Sequence, residues 1–74
     1  MKIEIYGKEI KLSQFLKKIG ACRTGGLTKY FLDVHIVKIN DRIPNGRNAK
    51  IHVGDIVWID DQIYVIKQAI EQNQ

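Results

Sequence analysis

Apolar and charged residues alternate at Ile3, Ile5, Ile10 and Leu12, on either side of Tyr6-Gly7-Lys8. A period of two interrupted by a glycine predicts a short hairpin or one bent strand. The period then lengthens. Phe15, Leu16 and Ile19 share a helical face, Ser13 stands where its hydroxyl can cap that helix, and Gly20 suits the left-handed position after its last turn. A first helix is therefore expected over residues 14–19. Thr24 reads as a second cap, and Leu27, Phe31 and Val34 recur at i, i+4 and i+7 with Tyr30 beside them, predicting an amphipathic helix to about residue 34. Only Ala21, Cys22 and Arg23 join the two helices.

From Ile36 onward the period returns to two. Val37 and Ile39 alternate with Lys38 and Asn40, Asp41-Arg42 turns the chain, and Pro44-Asn45-Gly46 marks a loop running to Ala49. Ile51 and Val53 alternate again before Gly54-Asp55, the apolar run Ile56-Val57-Trp58-Ile59, a turn at Asp60-Asp61-Gln62 and a last strand from Ile63 to Ile66. The layout predicts an α+β class: two short packed helices against a small, mostly antiparallel sheet. One domain over residues 1–70 is expected, with a frayed polar tail at 71–74.

Charge sharpens this picture. Eight of the twelve Lys and Arg residues lie between Ser13 and Lys50, opposed only by Asp33 and Asp41, a net of +6 within an overall +4. They are interleaved with the apolar pattern, so the charge is displayed on a folded surface and points to a polyanion. The single cysteine, Cys22, closes no internal disulfide and reads as a core filler, while His35 and His52 lack metal-ligand spacing. One unpaired thiol, no signal peptide and no apolar run near ~18 residues place the chain in the cytoplasm, away from the membrane. Nothing assembles a catalytic set, so no enzyme, cofactor, metal or small-molecule substrate is expected. Asp60-Asp61 reads as a turn, and Phe31 and Trp58 sit within apolar periodicity as core.

The order Thr24-Gly25-Gly26-Leu27-Thr28-Lys29-Tyr30-Phe31-Leu32, Val37-Lys38-Ile39-Asn40, Val53-Gly54-Asp55-Ile56 resembles the RNA-binding domain of the ribosomal protein S-four type, also called the alpha-L motif. The resemblance covers about residues 10–66 and is nearest to the small stand-alone YaaA-type members. It implies two packed helices leading into a strand, and structured RNA as partner, with ribosomal RNA or ribosomal particles foremost. The family's usual Ser-Arg at the start of the second helix stands here as Thr24-Gly25, with Arg23 one residue earlier. His35 and Asp41 occupy positions where the family often has glycine, and both tolerate left-handed backbone better than most residues.

The same residues can be read without the family. Amides near Gly25 and Gly26 belong to a helix start, where a phosphate oxygen could approach two side-chain-free residues. Alternatively, the glycines let the two helices pack closely. Lys38, Asn40 and Arg42 make a polar patch suited to phosphates and 2′-hydroxyls, or a merely solvated strand face. Arg47 and Lys50 flank a loop that could fold over the same groove, and Lys29 lies on the helix surface. The expected RNA-binding set is thus Arg23, Thr24, Gly25, Gly26, Lys29, Lys38, Asn40, Arg42, Arg47 and Lys50. A rival from another class is a protein-interaction module of ubiquitin-like shape, prompted by the chain's size and N-terminal hairpin pattern.

Overall fold

In the computed structural model, which describes residues 1–69, the N-terminal alternation forms two strands and no hairpin. β1 (Lys2–Ile5) and β2 (Glu9–Lys11) are separated by a bend at Gly7, whose φ of +89° is a conformation that only glycine adopts freely. The bend sends them to different sheets. The element order continues with α1 (Leu12–Lys18), α2 (Leu27–Val34), β3 (Val37–Ile39), β4 (Lys50–His52), β5 (Ile56–Ile59) and β6 (Gln62–Gln68). A four-stranded sheet runs β1-β6-β5-β3, parallel between β1 and β6 and antiparallel elsewhere. β2 and β4 form a separate antiparallel pair. This is the expected α+β class, with a mostly antiparallel main sheet whose one parallel pair is β1 and β6. The proposed fraying of residues 71–74 lies outside the described residues.

Alternation explains which face each strand buries. Ile5, Val37, Ile39, Val57, Ile59 and Ile66 turn inward and meet Leu12, Phe15 and Leu16 of α1. The Phe15 ring meets Tyr64 of β6 edge to face, with centroids 5.6 Å apart, which fixes α1 against the sheet. Ile51 of β4 and Cys22 of the inter-helix segment complete the buried cluster.

Both helices begin later or earlier than their hydroxyl residues predict. α1 starts at Leu12, so Ser13 lies inside it. The cap position is Lys11, whose amide donates to Gln14 Oε1 at 3.2 Å. The amides of Leu12 and Ser13 donate to Ala49 O at 2.8 Å and Arg47 O at 3.0 Å, so a distant loop does the work expected of a cap. Gly20 ends α1 at φ +81°, as its position predicts. Thr24 is likewise not the cap of α2. Thr24 and Gly25 form a turn whose carbonyls accept from the Leu27 and Thr28 amides, each at 3.2 Å, and Gly26 stands at the cap.

α2 also presents a different face from the one its periodicity suggests. Thr28 is fully buried, Phe31 and Leu32 pack on the core, and Leu27 and Val34 are exposed with Tyr30. The inward stripe therefore runs through residues 28, 31 and 32, and the Leu27, Phe31, Val34 stripe does not bury as a unit.

Candidate nucleic-acid interface

The loop between β3 and β4 ties the starts of both helices together. Its backbone satisfies the first amides of α1, and the Arg47 guanidinium donates to Gly25 O at 3.3 Å. Between this loop and α2 lies an open groove of about 670 Å³, walled by Gly26, Lys29, Asp33 and Arg47 over an apolar floor of Leu32, Val37, Ile43 and Pro44. Arg42, Lys50, Asn40 and Asp55 line a second hollow on the other flank of Ile43-Pro44-Asn45. Arg23, Thr24, Gly26 and Lys29 are exposed and Gly25 is half-buried.

Gly25 and Gly26 are required by neither packing nor strained backbone. A Cβ at Gly25 would meet nothing within 4 Å, and one at Gly26 would meet only Thr24 Oγ1 at 3.8 Å. Gly26 has ordinary helical angles, φ −67° and ψ −27°. The explanation by close helix packing therefore fails. What the glycines leave is open space beside the turn that leads into α2.

The remaining members of the expected set are held in distinct ways. Asn40 is fully engaged: its Nδ2 donates to Asp55 Oδ1 at 3.0 Å, and its Oδ1 accepts the Ile56 amide at 2.9 Å. With Asp41 it forms a two-residue turn at φ +52° and +68°, between reciprocal backbone bonds of Ile39 and Arg42. Asp55 Oδ2 accepts the His52 amide at 2.8 Å, so Asn40 and Gly54-Asp55 form one clip joining β3, β4 and β5. Lys50 lies 3.3 Å from Glu9 across the small sheet, a surface pair that partly offsets its charge. Arg23, Lys29 and Arg42 have no carboxylate partner among the described residues. Lys38 is exposed between inward-facing Val37 and Ile39, so it points to the sheet's outer face, away from Gly25 and the groove.

Two further residues were not legible as a pair. His35 was expected to tolerate a left-handed turn, yet it is extended at φ −121°. Its ring stacks on Phe31 at 4.2 Å, and its Nδ1 meets Asp60 Oδ2 at 2.7 Å. The Ile36 amide donates to Asp60 Oδ1 at 3.0 Å. That backbone bond, followed by the His35 contact, holds the exposed Asp60 carboxyl below the usual carboxylate range. Trp58 is also not core. It lies half-buried on the outer sheet face, because Val57 and Ile59 take the inward positions of an antiparallel strand whose other side is open.

Among the described residues, no three His, Cys, Asp or Glu side chains converge as metal ligands, and no helix is long and apolar enough to cross a membrane. Two short helices whose starts are bridged by a basic loop stand on a mixed sheet, and the chain's sequence matches the S4 domain family. That family matches residues 3–67, and the chain belongs to it. Over 58 residues it is 43% identical to the probable ribosome maturation protein RlbA of Bacillus subtilis strain 168, covering 78% of this chain and 82% of that protein. No solved structure matches it.

Proposed function

We propose that the chain is a non-catalytic, cytoplasmic RNA-binding protein. It grips structured RNA, ribosomal RNA foremost, where α2 begins and the Arg47 loop crosses it, and serves ribosome assembly or translation. The observation that carries this is the pair Gly25-Gly26: a Cβ at either would meet no close neighbour, nothing in the fold demands glycine there, Arg47 donates to Gly25 O, and Lys29 and Arg47 line the groove beside Gly26. A phosphate oxygen beside such a helix start lies at the favourable end of the helix dipole, next to Lys29 and Arg47. Arg42 and Lys50 extend the positive surface along the second hollow. Membership of the S4 family and likeness to a ribosome maturation protein support the same partner class. The ubiquitin-like rival loses one of its two motives, since β1 and β2 form no hairpin.

The test is a titration of a structured ribosomal RNA fragment from low to physiological salt. With about four to five cations engaged, log affinity should fall against log salt with a slope on the order of −3 to −5. A flat response, or no binding at low salt, would overturn the proposal.

A further inference from the structure

The outer face of the main sheet carries apolar side chains at its centre and charged ones at its rim. Register places Trp58 beside Lys38 on one side and Ile63 on the other, and Ile56 beside Val65, which is followed by Lys2. The centre of the face is thus an apolar quartet on the two middle strands. Ile56 and Ile63 are each 40% exposed, and Trp58 and Val65 are half-buried. Solvent-exposed sheet faces normally carry polar side chains, and this one carries four adjoining apolar ones at its centre.

The rim says what. Lys38 abuts Trp58, Lys2 abuts Val65, and Glu4 lies opposite Lys67. Neither Lys2 nor Lys38 has an ion-pair partner among the described residues. The face is therefore apolar at its centre and cationic at its edge. A second copy of the chain would bring lysines against lysines, which argues against self-pairing. Three inter-strand gaps and a four-residue strand give a footprint on the order of 200 Å². A stable protein interface takes about 800 Å² from each partner. An occupant of small planar groups linked by negative charges fits both the size and the rim.

We infer that this face is a second RNA contact, a platform on which unpaired bases stack against Trp58 while the adjoining phosphates pair with Lys38 and Lys2. It deepens the RNA-binding reading above and rests on it: structured RNA is gripped at α2, and a single-stranded extension lies across the sheet. Stacking of this kind is tolerant of sequence because every base offers a π-face.

Trp58 is the single tryptophan, so its fluorescence reports this face alone. The full chain is titrated with a short single-stranded oligoadenylate and with an abasic oligomer of equal length. The expected result is saturable quenching by oligoadenylate and little by the abasic oligomer. Trp58→Leu should weaken oligoadenylate binding at least about five-fold by anisotropy of a labelled strand, with Trp58→Phe staying within about two-fold of the native chain. No quenching by oligoadenylate, or equal quenching by the abasic oligomer, overturns the inference. So does quenching by an acidic peptide or anionic vesicles but not by oligoadenylate. Should Trp58→Leu fail to fold, the native-chain quenching and Lys38→Glu still decide the matter, since Lys38 is exposed and its reversal should weaken binding by a similar factor. Structured RNA is titrated in parallel: if it binds while oligoadenylate does not quench, only the platform falls. If structured RNA fails to bind, the assignment of the α2 face falls independently.

Discussion

At the scale of single residues, Gly25 separates fold from function more cleanly than any other position. Its empty surroundings mean that Gly25→Ala meets no neighbour, and loss of backbone freedom in the unfolded chain should keep or raise stability by about 0.4–1 kcal/mol. The same methyl would stand in the proposed phosphate approach, so affinity for structured RNA should fall. Gly25→Arg should fold equally well and retain affinity, since it supplies a guanidinium beside Arg23. Urea melts alongside RNA titrations of both variants check this, and equal loss of stability in the two would mean that position 25 is buried against something. The pair itself was visible in the sequence, but the choice between packing and access was not, because spacing does not encode the space around a Cβ. Asn40 shows the opposite case. It reads as one more polar strand residue, yet its amide is spent on Asp55 and Ile56, partners that only the folded chain brings near.

At the scale of elements, α2 shows where periodicity runs out. Leu27, Phe31 and Val34 fit a helical stripe, but so do Thr28, Phe31 and Leu32, and apolarity alone favours the first set. The structure turns the second inward: Thr28 is fully buried, and Phe31 and Leu32 are half-buried against the core. Leu27 is 46% exposed and Leu16 fully buried, so Leu27→Ala should cost less than about 1 kcal/mol in urea denaturation and Leu16→Ala about 2–5 kcal/mol. Similar losses at both sites would refute this orientation of α2. The end of the helix is joined to the β5–β6 turn through His35 and Asp60. Asp60's carboxyl is held below its ordinary value, so its contribution is present above the unfolded carboxylate pKa of about 3.9 and disappears as pH falls through the lower folded value. Melting temperature followed from pH 5 downward should therefore drop less steeply in Asp60→Asn than in the native chain. Identical acid limbs would show that the link contributes nothing. Strand positions were largely legible because each short run alternates cleanly. The hairpin was not, since one positive-φ glycine sends β1 and β2 to different sheets.

At the scale of the whole molecule, the charge segregation seen along the chain becomes a question of faces. Sequence places Lys38 and Arg42 four residues apart in one basic stretch, and nothing in that spacing separates them. The turn at Asn40-Asp41 does: Lys38 faces outward between Val37 and Ile39, whereas Arg42 sits across from inward-facing Ile39 and lines the hollow beside the Arg47 loop. If structured RNA is gripped at the α2 face, Arg42→Ala should weaken it by about 1 kcal/mol, as loss of one charge-assisted contact does, and lower the salt slope by about one. Lys38→Ala should change that same affinity by no more than a few tenths of a kcal/mol, the remnant of screened long-range attraction, while reducing oligoadenylate binding on the sheet. Matched salt is essential, because a uniform charge effect would lower both affinities together. Equal loss of structured-RNA affinity in the two variants would mean that the duplex wraps the edge of the sheet and touches both faces, and that the division of labour inferred from the outward strand face does not hold.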